Sequence, residues 1–182
     1  MAFAQVGRAA TIGDDAISRA NFDSYSDFSM ALLGVTVPTG PNTLSQWQTY
    51  IGSTSGGNQM ALLFLAPVGG NDYVTKFVDE RTVVDGLNTF TASAVLQPGW
   101  LMGIWMGGGK VDFDYTASNN TTYTGDTALG SAPALNQTIS YTGAITDRIY
   151  SIQATVPEGG ATVALLGAGL AGIAFARRSL KA

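Results

Sequence analysis

The chain has 182 residues, enough for one domain with a substantial core. Only 12% are charged, acidic residues outnumber basic ones 13 to 9, and there is neither His nor Cys. Those absences exclude Ser/His/Asp and Cys/His catalysis within this chain, a typical zinc site, and disulfide or thiol chemistry. An acidic balance without a basic patch argues against nucleic acid as a partner. The 23 glycines, with abundant Thr and Ser, are the composition of an all-β extracellular module rather than a helical bundle.

Residues 1–27 read as an N-terminal segment. Ala2-Phe3-Ala4 has the small-x-small form of a signal-peptide cleavage site, a form that an Ala-rich terminus also produces by chance. A polar lead-in carrying Asp14, Asp15, Asp23 and Asp27 follows. Phe28–Val37 reads as a first core strand, ended by Pro38-Thr39-Gly40-Pro41. Leu44–Ile51 alternates, with Trp47, Thr49 and Ile51 on one face and Gln46, Gln48 and Tyr50 on the other. Gln59–Ala66 is a short continuous apolar run, the pattern of a central strand buried on both faces. Pro67–Asp72 turns the chain into half-buried Tyr73–Val78, and Asp85-Gly86 is a second turn signal before Leu87–Val95. Trp100–Met106 is the most apolar segment before the tail; Val111–Tyr115 alternates with Asp112 and Asp114. Residues 118–134 form a Thr/Asn/Gly-rich stretch, and Thr138–Thr142 and Arg148–Ala154 are closing strands. Short strands at regular spacing between turn residues predict an all-β fold over residues 28–155, an antiparallel β-sandwich of jelly-roll-like form.

Residues 156–182 are different. Val156-Pro157-Glu158-Gly159-Gly160 precedes an uncharged run, Ala161–Ala176, and then Arg177, Arg178 and Lys181. As a helix that run would span roughly 24 Å against a bilayer core of about 30 Å, so a transmembrane role needs the terminal cations to snorkel. Cations at that end place the C-terminus in the cytoplasm. A buried helix of a soluble domain is the alternative. Gly167-Ala168-Gly169-Leu170-Ala171-Gly172 also spells G-x-G-x-x-G. A dinucleotide site needs a helix, a second parallel strand and an acid about 20 residues on, and no acid follows Glu158, so no cofactor is expected.

The order Val156-Pro157-Glu158, apolar Gly/Leu/Ala segment and Arg cluster resembles the PEP-CTERM sorting signal of Gram-negative exosortase substrates. Gly159 stands where that motif has its second proline, as in variant forms of the signal. The resemblance implies an exported precursor anchored in the inner membrane by a C-terminal hydrophobic helix. It further implies an exosortase-like protease as partner, a cut near Val156–Glu158, and release to the cell surface or extracellular matrix. Trp47 to Asp114 is also similar to β-sandwich ectodomains common in proteins with such tails.

Three sets of side chains bear on chemistry. Glycoside hydrolysis needs two facing carboxylates, and Glu80 is the sole Glu before the tail. Asp112 and Asp114 on one side of a strand, with Asp72 in a Gly-rich loop, are hard-oxygen calcium candidates, or simply a solvent-facing strand side. Trp47, Trp100 and Trp105 offer flat apolar faces to sugar rings, but Trp100 and Trp105 lie five apart and face opposite sides, so at most one is open. The expectation is a non-catalytic surface or matrix protein, with a carbohydrate-binding module for exopolysaccharide as the alternative. An exposed aromatic row beside a groove would favour the second.

Overall fold

The computed structural model describes residues 9–24, 26–40, 42–115, 129–145 and 147–157, together with the backbone of 122–125. The chain enters through two short strands, β1 (Ala10–Gly13) and β2 (Asn21–Phe22). The body follows as β3 (Phe28–Thr36), β4 (Asn42–Ser53), β5 (Gln59–Gly69), β6 (Asp72–Thr82), β7 (Gly86–Leu96), β8 (Leu101–Gly107) and β9 (Lys110–Tyr115). The last strands are β10 (Thr122–Gly125), β11 (Thr138–Ile145), β12 (Arg148–Tyr150) and β13 (Ile152–Val156). No helix occurs among the described residues.

All strand pairings are antiparallel. One sheet is open, in the order β1-β13-β4-β9-β12, with β7 on β4 and β2 on β9. The other runs β10-β11-β6-β5-β8-β3, and β3 returns to β10, closing it into a barrel. That closure is not visible in the hydrophobic pattern, which predicts two faces for each strand but not which strands meet at the ends.

The apolar patterns explain the core. Alternation along β4 sends Trp47, Thr49 and Ile51 inward, all essentially buried. Trp47 and Ile51 join Met60, Leu62 and Phe64 of β5 and Met102, Ile104 and Met106 of β8 in one cluster that links both sheets. The intervening residues of the same strands, Ala61, Leu63, Leu65 and Trp105, fill a second cluster with Tyr73, Ile139 and Tyr141. β5 and β8 are therefore apolar throughout because the closed sheet buries both of their faces. Across the closure the Tyr141 hydroxyl of β11 lies 3.0 Å from Ser29 Oγ of β3, a buried pair of hydroxyls.

Where the sequence pattern suggests a turn at Pro67–Asp72, β5 instead continues through Pro67 to Gly69, and the hairpin turns on Gly70-Asn71. Gly70, at φ 57°, takes the left-handed conformation this tight connection needs. The lead-in is also not separate from the domain. β1 adds to the edge of β13 through Ala10↔Val156 to Gly13↔Gln153, and β2 pairs with β9 through Asn21↔Phe113 and Phe22↔Asp112. Short strands without an apolar run carry no periodic signal; pairing on a neighbour forms them. The described strands accordingly run from Ala10 to Val156, which is 2% exposed at the end of β13.

Candidate functional site

The sequence candidates fall in separate places. Trp47 is fully buried; its indole Nε1–H donates to Asp79 Oδ2 at 2.7 Å, tying β4 to β6, and its ring tilts against Phe90 at 4.6 Å. Trp105 is 3% exposed and its Nε1–H donates to the Leu129 carbonyl at 3.3 Å. Trp100 is half-buried against the cluster between the sheets. Trp47 and Trp105 thus offer no open ring face to a sugar, and the three tryptophans form no common platform. The reason is packing: large rings in apolar strands are the strongest contributors to the core.

Asp72 begins β6 in the closed sheet, whereas Asp112 and Asp114 lie on β9 in the open one, so the three carboxylates do not converge. Asp112 is 3% exposed rather than solvent-facing. Its Oδ2 accepts the Arg19 backbone N–H at 3.0 Å. Asp114 accepts the Arg19 guanidinium at 3.3 Å and the Ala20 N–H at 3.0 Å. Burial raises the Asp112 pKa, opposed by that N–H. The pair of carboxylates therefore fastens the N-terminal segment onto β9. Among the described residues no three or more acidic side chains come together as a set that could hold a metal ion.

Of the sorting-signal residues, Val156 closes β13 and Pro157 is exposed just beyond it. Glu158, Gly159, Gly160, Arg177 and Arg178, with the apolar run between, lie outside the described residues. Among the described residues no helix is long and apolar enough to cross a membrane.

A different place concentrates polar and aromatic groups. β9 is flanked by β2 and β12, and there Asn21, Phe113 and Tyr150 are cross-strand neighbours, with Tyr115 opposite Arg148. Beside them opens a cleft of about 330 Å³ whose lining includes Asn21, Asp23, Ser24, Phe113, Tyr115 and Arg148. Arg148 is its centre. Its guanidinium carbon sits 4.1 Å from the centroid of the Phe113 ring and 5.9 Å from that of Tyr115. One nitrogen, Nη1, donates to Asp23 Oδ2 at 3.0 Å and lies 3.2 Å from the Tyr150 hydroxyl, which itself donates to Asp23 Oδ2 at 2.9 Å. Asp23 is 1% exposed, so its charge is held by these partners rather than by water. Burial alone would weaken the Arg148 charge, but the Tyr150 hydrogen bond and the Asp23 and Tyr115 charges outweigh it and hold its pKa above the ordinary value. Burial, then the Asp23 charge, raises the Tyr150 pKa far above the usual phenol range.

The cleft therefore has a fixed floor and an open rim. Tyr115, 68% exposed, meets Phe113 edge-on at 5.3 Å and leaves most of its ring to solvent. The Nε and Nη2 of Arg148 and the side chains of Asn21 and Ser24 have no hydrogen-bond partner among the described residues. None of these residues stands out in the sequence. The nearest signal is the alternation Val111-Phe113-Tyr115, which ends in an aromatic at the last residue of its strand.

In comparisons with known proteins, no family model matches this chain, and no curated protein or solved structure matches it.

Proposed function

We propose that this is a non-catalytic exported protein, delivered to the cell surface or extracellular matrix by a C-terminal sorting signal. The observation that carries the reading is the residue order of the tail: Val156-Pro157-Glu158, the uncharged apolar run Ala161–Ala176, then Arg177 and Arg178. It is supported by where the described strands end. β13 closes at Val156, and Pro157, which has no N–H to give a ladder, lies exposed beyond it. A cut on the far side of Pro157 would leave every described strand in place. An exosortase-like protease and, before processing, the inner membrane are the partners of this reading. Intact-mass measurement of surface-exposed protein from its native host tests it: loss of the apolar tail is expected. A species retaining residues through Ala182 outside the inner membrane would refute it.

A second reading, a carbohydrate-binding module for exopolysaccharide, is favoured by one observation. An exposed aromatic, Tyr115, borders a cleft lined by Asn21, Ser24 and Arg148, whose side chains keep polar atoms without a hydrogen-bond partner among the described residues. The two readings are compatible, since a matrix protein needs something to hold.

A further inference from the structure

We propose that the cleft between β2 and β12 binds one or two rings of a neutral polysaccharide, with Tyr115 as the stacking platform and Arg148 as the hydrogen-bonding fork. The assignment rests on the carbohydrate-binding reading above and gives it a place and a ligand chemistry.

The first argument is shape and polarity. A cleft of about 330 Å³ takes one or two pyranose rings rather than a folded partner. A pyranose has an apolar C–H face and an equatorial rim of hydroxyls. Tyr115 supplies an open aromatic face, and a phenol ring can cover C–H groups while its hydroxyl stays in water. Asn21, Ser24 and the outer edge of Arg148 supply donors and acceptors with no partner among the described residues. Two adjacent N–H groups of a planar guanidinium match vicinal hydroxyl oxygens as they match the two oxygens of a carboxylate.

The second argument is rigidity. Ring contact with Phe113 at 4.1 Å and the bond to buried Asp23 hold the Arg148 guanidinium before any ligand arrives. A long side chain usually loses rotamer freedom on binding; here that cost is met on folding. A structural ion pair alone would account for Nη1, whereas Nε and Nη2 belong to a cleft-lining residue and have no hydrogen-bond partner among the described residues.

The third argument is charge, and it selects neutral over acidic sugars. Arg148 is compensated by Asp23 within the cleft, and Asp114 lies on the next strand. The chain up to Val156 carries 12 acidic against six basic residues. A polyuronate would meet no net positive field.

The test is affinity electrophoresis of the full chain in native gels containing neutral glucan, galactan, mannan or xylan, with alginate as the acidic comparison. The variants are Tyr115→Ala and Tyr115→Trp, both at an exposed site that should leave folding intact, and Asn21→Ala. Retardation by at least one neutral polymer, reduced tenfold or more in apparent affinity by Tyr115→Ala, weakened by Asn21→Ala and kept by Tyr115→Trp, is the expected result. Retardation unchanged by Tyr115→Ala would overturn this site while leaving carbohydrate binding standing elsewhere. Retardation by alginate alone would overturn the neutral chemistry. No retardation by any polymer would sink the site and the carbohydrate-binding reading together.

Discussion

Replacing Asp23 with Ala removes the acceptor that both Arg148 and the Tyr150 hydroxyl use, at 3.0 and 2.9 Å. Breaking one side of a buried ion pair costs roughly 3–5 kcal/mol, because the partner's charge is left without compensation. Arg148 is not sealed off: its side chain is 18% exposed and can turn toward water in the cleft. Tyr150 is 2% exposed and keeps the nearby guanidinium but loses its acceptor. The expected loss is therefore at the lower end, about 3 kcal/mol. For a domain of this size that lowers Tm by roughly 6–12 °C. Urea unfolding followed by tryptophan fluorescence measures it directly, and Asp23→Asn, which keeps shape and one acceptor, should lose about half as much. A second readout separates this lock from ordinary packing. With the Asp23 charge gone, Tyr150 should ionise at lower pH, visible in the ultraviolet phenolate absorbance. An Asp23→Ala protein within about 0.5 kcal/mol of wild type, with an unmoved tyrosine titration, would refute the reasoning.

Two further outcomes follow from the core. Burial pushes the Tyr141 pKa up to about 12, above its ordinary 10, so the folded state keeps a proton that the unfolded chain releases. Stability from this group is full below pH 10 and is lost as pH rises from 10 to about 12. Urea midpoints should fall over that window, and Tyr141→Phe should flatten the fall while costing about 1–2 kcal/mol at neutral pH by stranding the Ser29 hydroxyl. Gly108, at φ 110°, packs against the backbone of Gly57, and a Cβ there would collide with it. Gly108→Ala should cost about 3 kcal/mol or more, read as a drop in Tm, whereas Ala at Gly99, where φ is 83° but the space is open, should cost only about 1–2 kcal/mol.

Much of the fold was legible because burial leaves a period in the chain. Trp47, Thr49 and Ile51 alternate with polar neighbours and face the core, and the unbroken apolar runs of β5 and β8 are strands with two buried faces. β1 and β2 were not legible: four and two residues of mixed polarity are strands only because β13 and β9 offer ladders to them. The same limit governs the site. Asp23, Tyr115 and Arg148 lie far apart in sequence, and their meeting depends on β12 pairing with β9, which no local pattern specifies. The tryptophans gave an ambiguous signal because ring size marks both core and sugar contact. Only exposure separates the two, and exposure is a property of the assembled sheets.

The position of β13 also has a mechanical side. This strand lies between β1 and β4, paired with both, and the chain leaves it at Pro157. A pull applied through Pro157 runs along the strand axis, so the ladders on either flank are loaded in parallel and must slide together, instead of opening one bond at a time from an end. The Arg19 and Ser151 contacts anchor the opposite end of the strand to the segment just after β1. A domain loaded through that point while the chain beyond it is still attached would resist extension well beyond what its equilibrium stability suggests, since shearing raises the force needed without adding a single contact to the folded state.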